Sequence, residues 1–169
     1  MHAVDLLSKR ALLTPEREAL LDVATGRRYT YAQLNARANC LANFMQGRLG
    51  VQKGDRISIL AHNSVIYLDL FYGLAKIGAI LAPLNWRMVA QELSYIVNDC
   101  GSKALLCGPE FVDMLAEMRP DVYVDHIVSL EGAQIPGAWI YEQEIASADA
   151  NEPPQSALSS EDAHCILYT

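Results

Sequence analysis

Residues 65–78, VIYLDLFYGLAKIG, constrain the fold more than any other stretch. Read as a helix they are apolar on nearly every face, broken only by Asp69 and Lys76. Such a helix must be covered on more than one side, which places it inside a layered body and not on a surface. Its flanks agree. RISILA (56–61) precedes it and AILAPL (79–84) follows it, both short and β-prone, and His62, Asn63 and Ser64 supply N-cap candidates at its start. Strand, helix and strand at this spacing make a right-handed parallel crossover.

The pattern then repeats. Leu93, Ile96, Val97 and Cys100 share one face of a helix over 91–100 that Gly101 ends, and residues 103–107 form the next strand. Gly108-Pro109 opens another helix to about Met118, and 126–130 is the strand after it. Upstream, runs at 19–23 and 28–31 around Gly26 predict a hairpin. From Thr30 the apolar positions Leu34, Ala38, Leu41, Met45 and Leu49 follow a helical period, with Thr30 and Gln33 spaced as a capping box and Gly50 as the stop. The fold class expected is α/β, a layered and mostly parallel sheet with helices on both faces.

Charge limits the partners. The net charge of −7 divides as +4 over residues 1–60, −2 over 61–120 and −9 over 121–169, where no Lys or Arg occurs. A final third without cations cannot neutralise phosphates by itself, so nucleic acid is not expected as a partner. Cys40, Cys100, Cys107 and Cys165 make no C-x-x-C and stand apart in sequence from His2, His62, His126 and His164. They read as four buried thiols of a reducing compartment, with no structural metal. No apolar leader opens the chain, and Asp69 and Lys76 interrupt its longest apolar stretch, so the expectation is a cytoplasmic chain with no transmembrane segment.

Residues 147–162 are polar, Pro-bearing and aperiodic, a linker or surface crossing. Residues 163–168, AHCILY, are apolar enough for a buried strand, after which the chain stops on Thr169. This predicts a piece of a longer protein. The layout expected is an N-terminal α/β subdomain over 1–146, a linker over 147–162, and the first strand of a further subdomain over 163–169.

YTYAQL (29–34), KGDRISILAHNSVIYLDLFYGLAKIGAILAPLNWR (53–87) and DAHCILYT (162–169) resemble, in order and spacing, the N-terminal segment of the adenylate-forming (AMP-binding) enzymes, nearest to fatty-acyl-CoA and aryl-CoA ligases. The resemblance implies an ATP-dependent acyl-CoA synthetase. A carboxylic acid and Mg-ATP give an acyl-adenylate and pyrophosphate, and CoA then takes the acyl group as a thioester. ATP, Mg2+ and CoA are therefore the cofactors implied for the parent protein, with none expected on this chain alone. Two alternatives stand beside this reading: a stand-alone, non-catalytic α/β interaction module, and an adenylation domain or luciferase-like member of the same superfamily.

By the same resemblance, Thr169 stands where the ATP phosphate loop begins, a loop whose backbone N–H groups close around polyphosphate. Arg87, in Leu84-Asn85-Trp86-Arg87 after a strand, matches a cation that contacts CoA phosphates in some relatives; a solvated loop arginine is the competing reading. No catalytic residue and no metal ligand is expected within this chain. Tyr67, Phe71, Tyr72 and Met45 read as core and not as an acyl pocket. His62 reads as part of a helix start, and His164 and Cys165 as strand neighbours that point to opposite faces. A strand edge over 163–168 without its partners predicts self-association through the C-terminal tail, giving a homo-oligomer.

Overall fold

A computed structural model describes residues 4–154 and 157–169. Five parallel strands, β3 (Arg56–Leu60), β4 (Ile80–Pro83), β5 (Ser102–Cys107), β6 (His126–Ser129) and β7 (Trp139–Ile140), form a sheet in the order β4-β3-β5-β6-β7. The expected layered α/β fold is present. A separate antiparallel hairpin, β1 (Glu18–Leu21) with β2 (Arg28–Thr30), precedes the sheet.

The period of two along β3 sorts its side chains. Ile57 and Ile59 enter a core shared with α2 (Tyr31–Gly47), α3 (Val65–Ile77) and α6 (Tyr141–Ser147), whereas Leu60 enters one shared with α4 (Ala90–Asp99) and α5 (Val112–Met118). The strands are therefore apolar on both faces, as parallel strands under two helical layers must be. α2 begins on the predicted capping box: Thr30 Oγ1 accepts from the Gln33 N–H, and Gln33 Oε1 accepts from the Thr30 N–H. Ser64 caps α3, and Gly78 closes it in the left-handed region at φ 70°.

α2 and α3 cross at Gly73, where a Cβ would meet the Ala38 carbonyl oxygen and Leu41 Cδ2 at 2.7 Å each. Beside this crossing Asp69, 1% exposed, accepts both guanidinium contacts of Arg37 and the Tyr141 hydroxyl at 2.6 Å, tying α2, α3 and α6 together. Met45 is fully buried, and Tyr67, Phe71 and Tyr72 pack partly buried against the cores, as expected of core residues.

Three features depart from the sequence reading. α1 (Val4–Leu13), absent from the sequence reading, docks on α2 through buried Leu7. Residues 148–154 are irregular yet pinned, because side chains of α2 grip their backbone. Cys40 Sγ contacts the Ala148 carbonyl, Asn39 Nδ2 donates to that of Ala150 at 2.9 Å, and Asn43 Nδ2 donates to those of Asp149 and Asn151 at 2.7 and 2.9 Å. Lys76 Nζ, whose side chain is 3% exposed, reaches Glu152 at 2.7 Å and Ser8 at 2.7 Å. Gln155 and Ser156 of the predicted linker lie outside the described residues.

The third departure is residues 163–168, which make no continuous buried strand. They meet the β4 edge in one parallel bridge, Leu81 with Cys165, and their exposure alternates, His164, Ile166 and Tyr168 half-buried and the odd positions out. Cys165 is consequently exposed, against the expectation of four buried thiols; Cys40, Cys100 and Cys107 are buried.

Candidate active-site edge of the sheet

In an open parallel sheet, ligands gather outside the carboxyl ends of the strands, where neighbouring strands send their connections to opposite faces. Here that point lies between β3 and β5, since the chain moves from β3 outward to β4 and then back across to β5. The loops concerned are 61–64 after β3, 84–89 after β4 and 108–110 after β5. The strand ends are apolar, Leu60 and Cys107 buried and Pro83 half-buried, so the loops leave from a packed edge.

A cleft of about 200 Å³ opens at this point, lined by His62, Ser64, Glu110 and Glu131 together with Asp22 and Thr25 of the hairpin. Its charge is acidic. Burial first, then the neighbouring Glu110 and Glu142, push the Glu131 carboxyl above the ordinary glutamate range. A rim of three carboxylates repels phosphate, so the cleft itself is no anion site.

The cation lies beside it. His62 packs edge-on against Phe111 and against Trp86, both at 5.0 Å between centroids, and Arg87 lies over the Trp86 ring at 4.1 Å. Phe111 is buried and Trp86 is 37% exposed, so a file of three rings runs from the core to a surface guanidinium. The Asn85 side chain accepts the Arg87 backbone N–H at 3.1 Å and fixes the turn. A stacked guanidinium keeps its in-plane N–H edge free, the geometry that suits a phosphate or carboxylate. Among the described residues no carboxylate pairs with Arg87. His62 also stands 3.8 Å from Glu110.

Thr169 is exposed at the end of the segment bridged to β4, and no hydrogen bond or ion pair links it to Arg87 among the described residues. His164 does not pair with Cys165; it packs on Phe71 at 4.3 Å between ring centroids, and burial lowers its pKa. Among the described residues no three His, Cys, Asp or Glu side chains converge as a metal requires, and His2 lies outside those residues. Among them, too, no helix is long and apolar enough to cross a membrane. Sequence reasoning singled out Arg87 and missed Trp86 and Phe111 as its support, because the three rings come from three different loops.

Comparisons with known proteins fit this architecture. The sequence profile of the AMP-binding enzymes matches residues 7–169. A long-chain-fatty-acid–CoA ligase of Mycobacterium tuberculosis, FadD13, is 36% identical over 169 residues, covering 97% of this chain and 31% of its own length. The crotonobetaine/carnitine–CoA ligase of Salmonella paratyphi A is 34% identical over 148 residues, covering 85% of this chain and 28% of its own. The chain thus spans about a third of the length of these relatives. Among solved structures, the inhibitor-bound N-terminal domain of FACL13 from Mycobacterium tuberculosis superposes with a TM-score of 0.89 at 33% identity, covering all of this chain and 41% of that one. The anthranilate CoA ligase AuaEII bound to anthranoyl-AMP superposes with a TM-score of 0.92 at 25% identity, covering all of this chain and 32% of that one. A match along nearly its whole length, in sequence and in fold, makes this chain a member of the AMP-binding enzyme family.

Proposed function

We propose that the chain is the N-terminal portion of an ATP-dependent acyl-CoA synthetase. In this reaction the carboxylate oxygen of an acid attacks the α-phosphate of ATP, pyrophosphate leaves, and the CoA thiolate then displaces AMP from the acyl carbon. What supports the CoA-ligase reading within the family is the unpaired Arg87, stacked on Trp86 beside the switch point of the sheet. Its free N–H edge suits a phosphate group of CoA. Thr169 begins the loop that holds the ATP phosphates, on the strength of its place after residues 163–168. Mg2+, when bound, would neutralise polyphosphate charge. Among the described residues no carboxylate set converges to hold it.

The remaining chemistry belongs to residues this chain does not carry, so the chain alone has neither ligase activity nor appreciable ATP affinity. Its place is the cytoplasm, as four free cysteines and substrates such as ATP and CoA suggest. The outer edge of 163–167, with Leu167 exposed, is the surface through which copies of this chain would associate.

Pyrophosphate exchange tests the reading. A longer product of the same gene gives carboxylate-dependent exchange and CoA thioester, and the 169-residue chain gives neither. In that longer protein Arg87→Ala raises the Michaelis constant for CoA about 10- to 100-fold, the loss of one charge-assisted hydrogen bond, and leaves exchange unchanged. A CoA constant that does not move removes Arg87 from the site.

A further inference from the structure

The bridge between β4 and residues 163–168 stops after one rung. Along β4 the even residues face β3: the Ile80 N–H donates to the Asp55 carbonyl and the Leu84 N–H to that of Ile59. The odd residues, Leu81 and Pro83, therefore face the open edge. Leu81 uses both of its backbone groups there, donating to the His164 carbonyl at 3.0 Å and accepting from the Ile166 N–H at 2.9 Å. In a parallel ladder the next donor must be residue 83, aimed at the Ile166 carbonyl. Residue 83 is proline and has no N–H.

Beyond Ile166, among the described residues, no backbone hydrogen bond joins the segment to β4. A continued strand would carry residue 168 about 10 Å beyond Cys165, level with Leu84. Instead the Tyr168 hydroxyl donates to Asp99 Oδ2 at 2.6 Å, at the last residue of α4. Asp99 lies at the opposite end of the sheet, since the next residue, Cys100, offers its carbonyl to Arg56, the first residue of β3.

We propose that Pro83 is a ladder stop: by withholding one N–H at the sheet edge it releases residues 167–169 from β4, and Asp99 captures the released chain through Tyr168. Pro83 is then a positioning residue for Thr169, with no contact to any ligand. The functional consequence rests on the reading of Thr169 given above; the ladder stop does not.

Amide hydrogen exchange by NMR on the 169-residue chain tests it. In the wild-type chain the Ile166 amide is protected and the Tyr168 amide exchanges freely. In Pro83→Ala the new amide at 83 bonds the Ile166 carbonyl, and the amides at 83 and 168 become protected by about tenfold or more. The Tyr168 phenol, held by Asp99 at a pKa of about 12, falls towards the ordinary tyrosine range, read from the ring carbon that bears the hydroxyl. Pro83→Val is measured in parallel, and protection at Ala82 shows that β4 is intact. A wild-type chain already protected at Tyr168 overturns the proposal, as does a folded variant with free amides at 83 and 168. Unfolding of both variants overturns it too, for Pro83 would then hold up the fold itself. Exchange reads only the ladder, so a failure of Thr169 to serve ATP would leave this result standing.

Discussion

Removing the Arg37 guanidinium should cost far more than neutralising the carboxylate it serves. Asp69 is 1% exposed, so without Arg37 a charged carboxylate stays out of water with only the Tyr141 hydroxyl as donor. Arg37 has 27% of its side chain exposed and can turn to solvent if Asp69 is lost. Leaving a buried charge unpaired costs about 3–5 kcal/mol, so Arg37→Met should lose about that much at pH 7. Asp69→Asn keeps shape and an acceptor oxygen for Tyr141, and should lose about 1–2 kcal/mol. Adding Asp69→Asn to Arg37→Met should recover stability, because the isolated charge goes. Urea unfolding followed by fluorescence reads all three, with Trp139 edge-on to Phe44 as a reporter, provided the m-value holds constant. The pH dependence has a fixed sign. Burial raises the Asp69 carboxyl above the ordinary aspartate range, while Arg37 and then Tyr141 oppose that rise. Without Arg37 it rises further, so the folded variant binds a proton more tightly than the unfolded chain. Its deficit against wild type is therefore largest above the variant's raised folded value and shrinks as pH falls from there towards the wild type's own, less raised value. Equal losses for the two single variants, or a deficit in Arg37→Met that ignores pH, would refute the reasoning.

Two further outcomes follow from the packing. Burial pushes the Glu152 carboxyl up, but Lys76, Asn35 and Ser8 more than offset this and hold it below the usual range. Its contribution is present above pH 4.5 and lost as pH falls through the lowered folded value, so limited proteolysis within 148–162 should accelerate in acid. Lys76→Met should bring about tenfold faster cleavage already at pH 7, and unchanged cleavage would show that the ion pair does not hold this segment. Gly73→Ala forces a methyl into the Ala38 carbonyl and Leu41 at the α2–α3 crossing and should cost about 1–3 kcal/mol in the same urea assay; a neutral result would mean that the helices part freely.

What the sequence made legible was what repeats. The central strands, α2 and α4 announce themselves through periods of two and 3.6, α3 through an apolar run too long for a strand, and α2 and α3 also through Thr30, Ser64 and Gly78 at helix ends. α1 was not legible, since Leu7 is its one residue in a core cluster among the described side chains and Leu6, Leu12 and Leu13 are exposed. β7 and α6, at two and seven residues, are too short to show a period, and Tyr141 is buried because Asp69 waits for its hydroxyl. Asp69 and Lys76 read as flaws in an apolar helix; their partners Arg37 and Glu152 lie 32 and 76 residues away, beyond any local pattern. Near the candidate site, the place of Arg87 after a strand was legible. The file of His62, Trp86 and Phe111 was not, because only the strand order brings their loops together.

Asn39 and Asn43 stand one helical turn apart on α2, and both hold carbonyl oxygens of residues 149–151 and no side chain. Such a grip cannot distinguish one amino acid from another. Composition at 150 is thus free to drift, whereas Asp149 is held to its type, since its Oδ1 accepts the Asn151 N–H at 2.9 Å and the Asn151 side-chain amide at 2.8 Å and shapes the turn that aims these carbonyls. Spacing is not free, because one residue inserted or deleted there would shift every oxygen past its amide at once. Among homologues of this chain, position 150 should wander in letters while the stretch keeps its count.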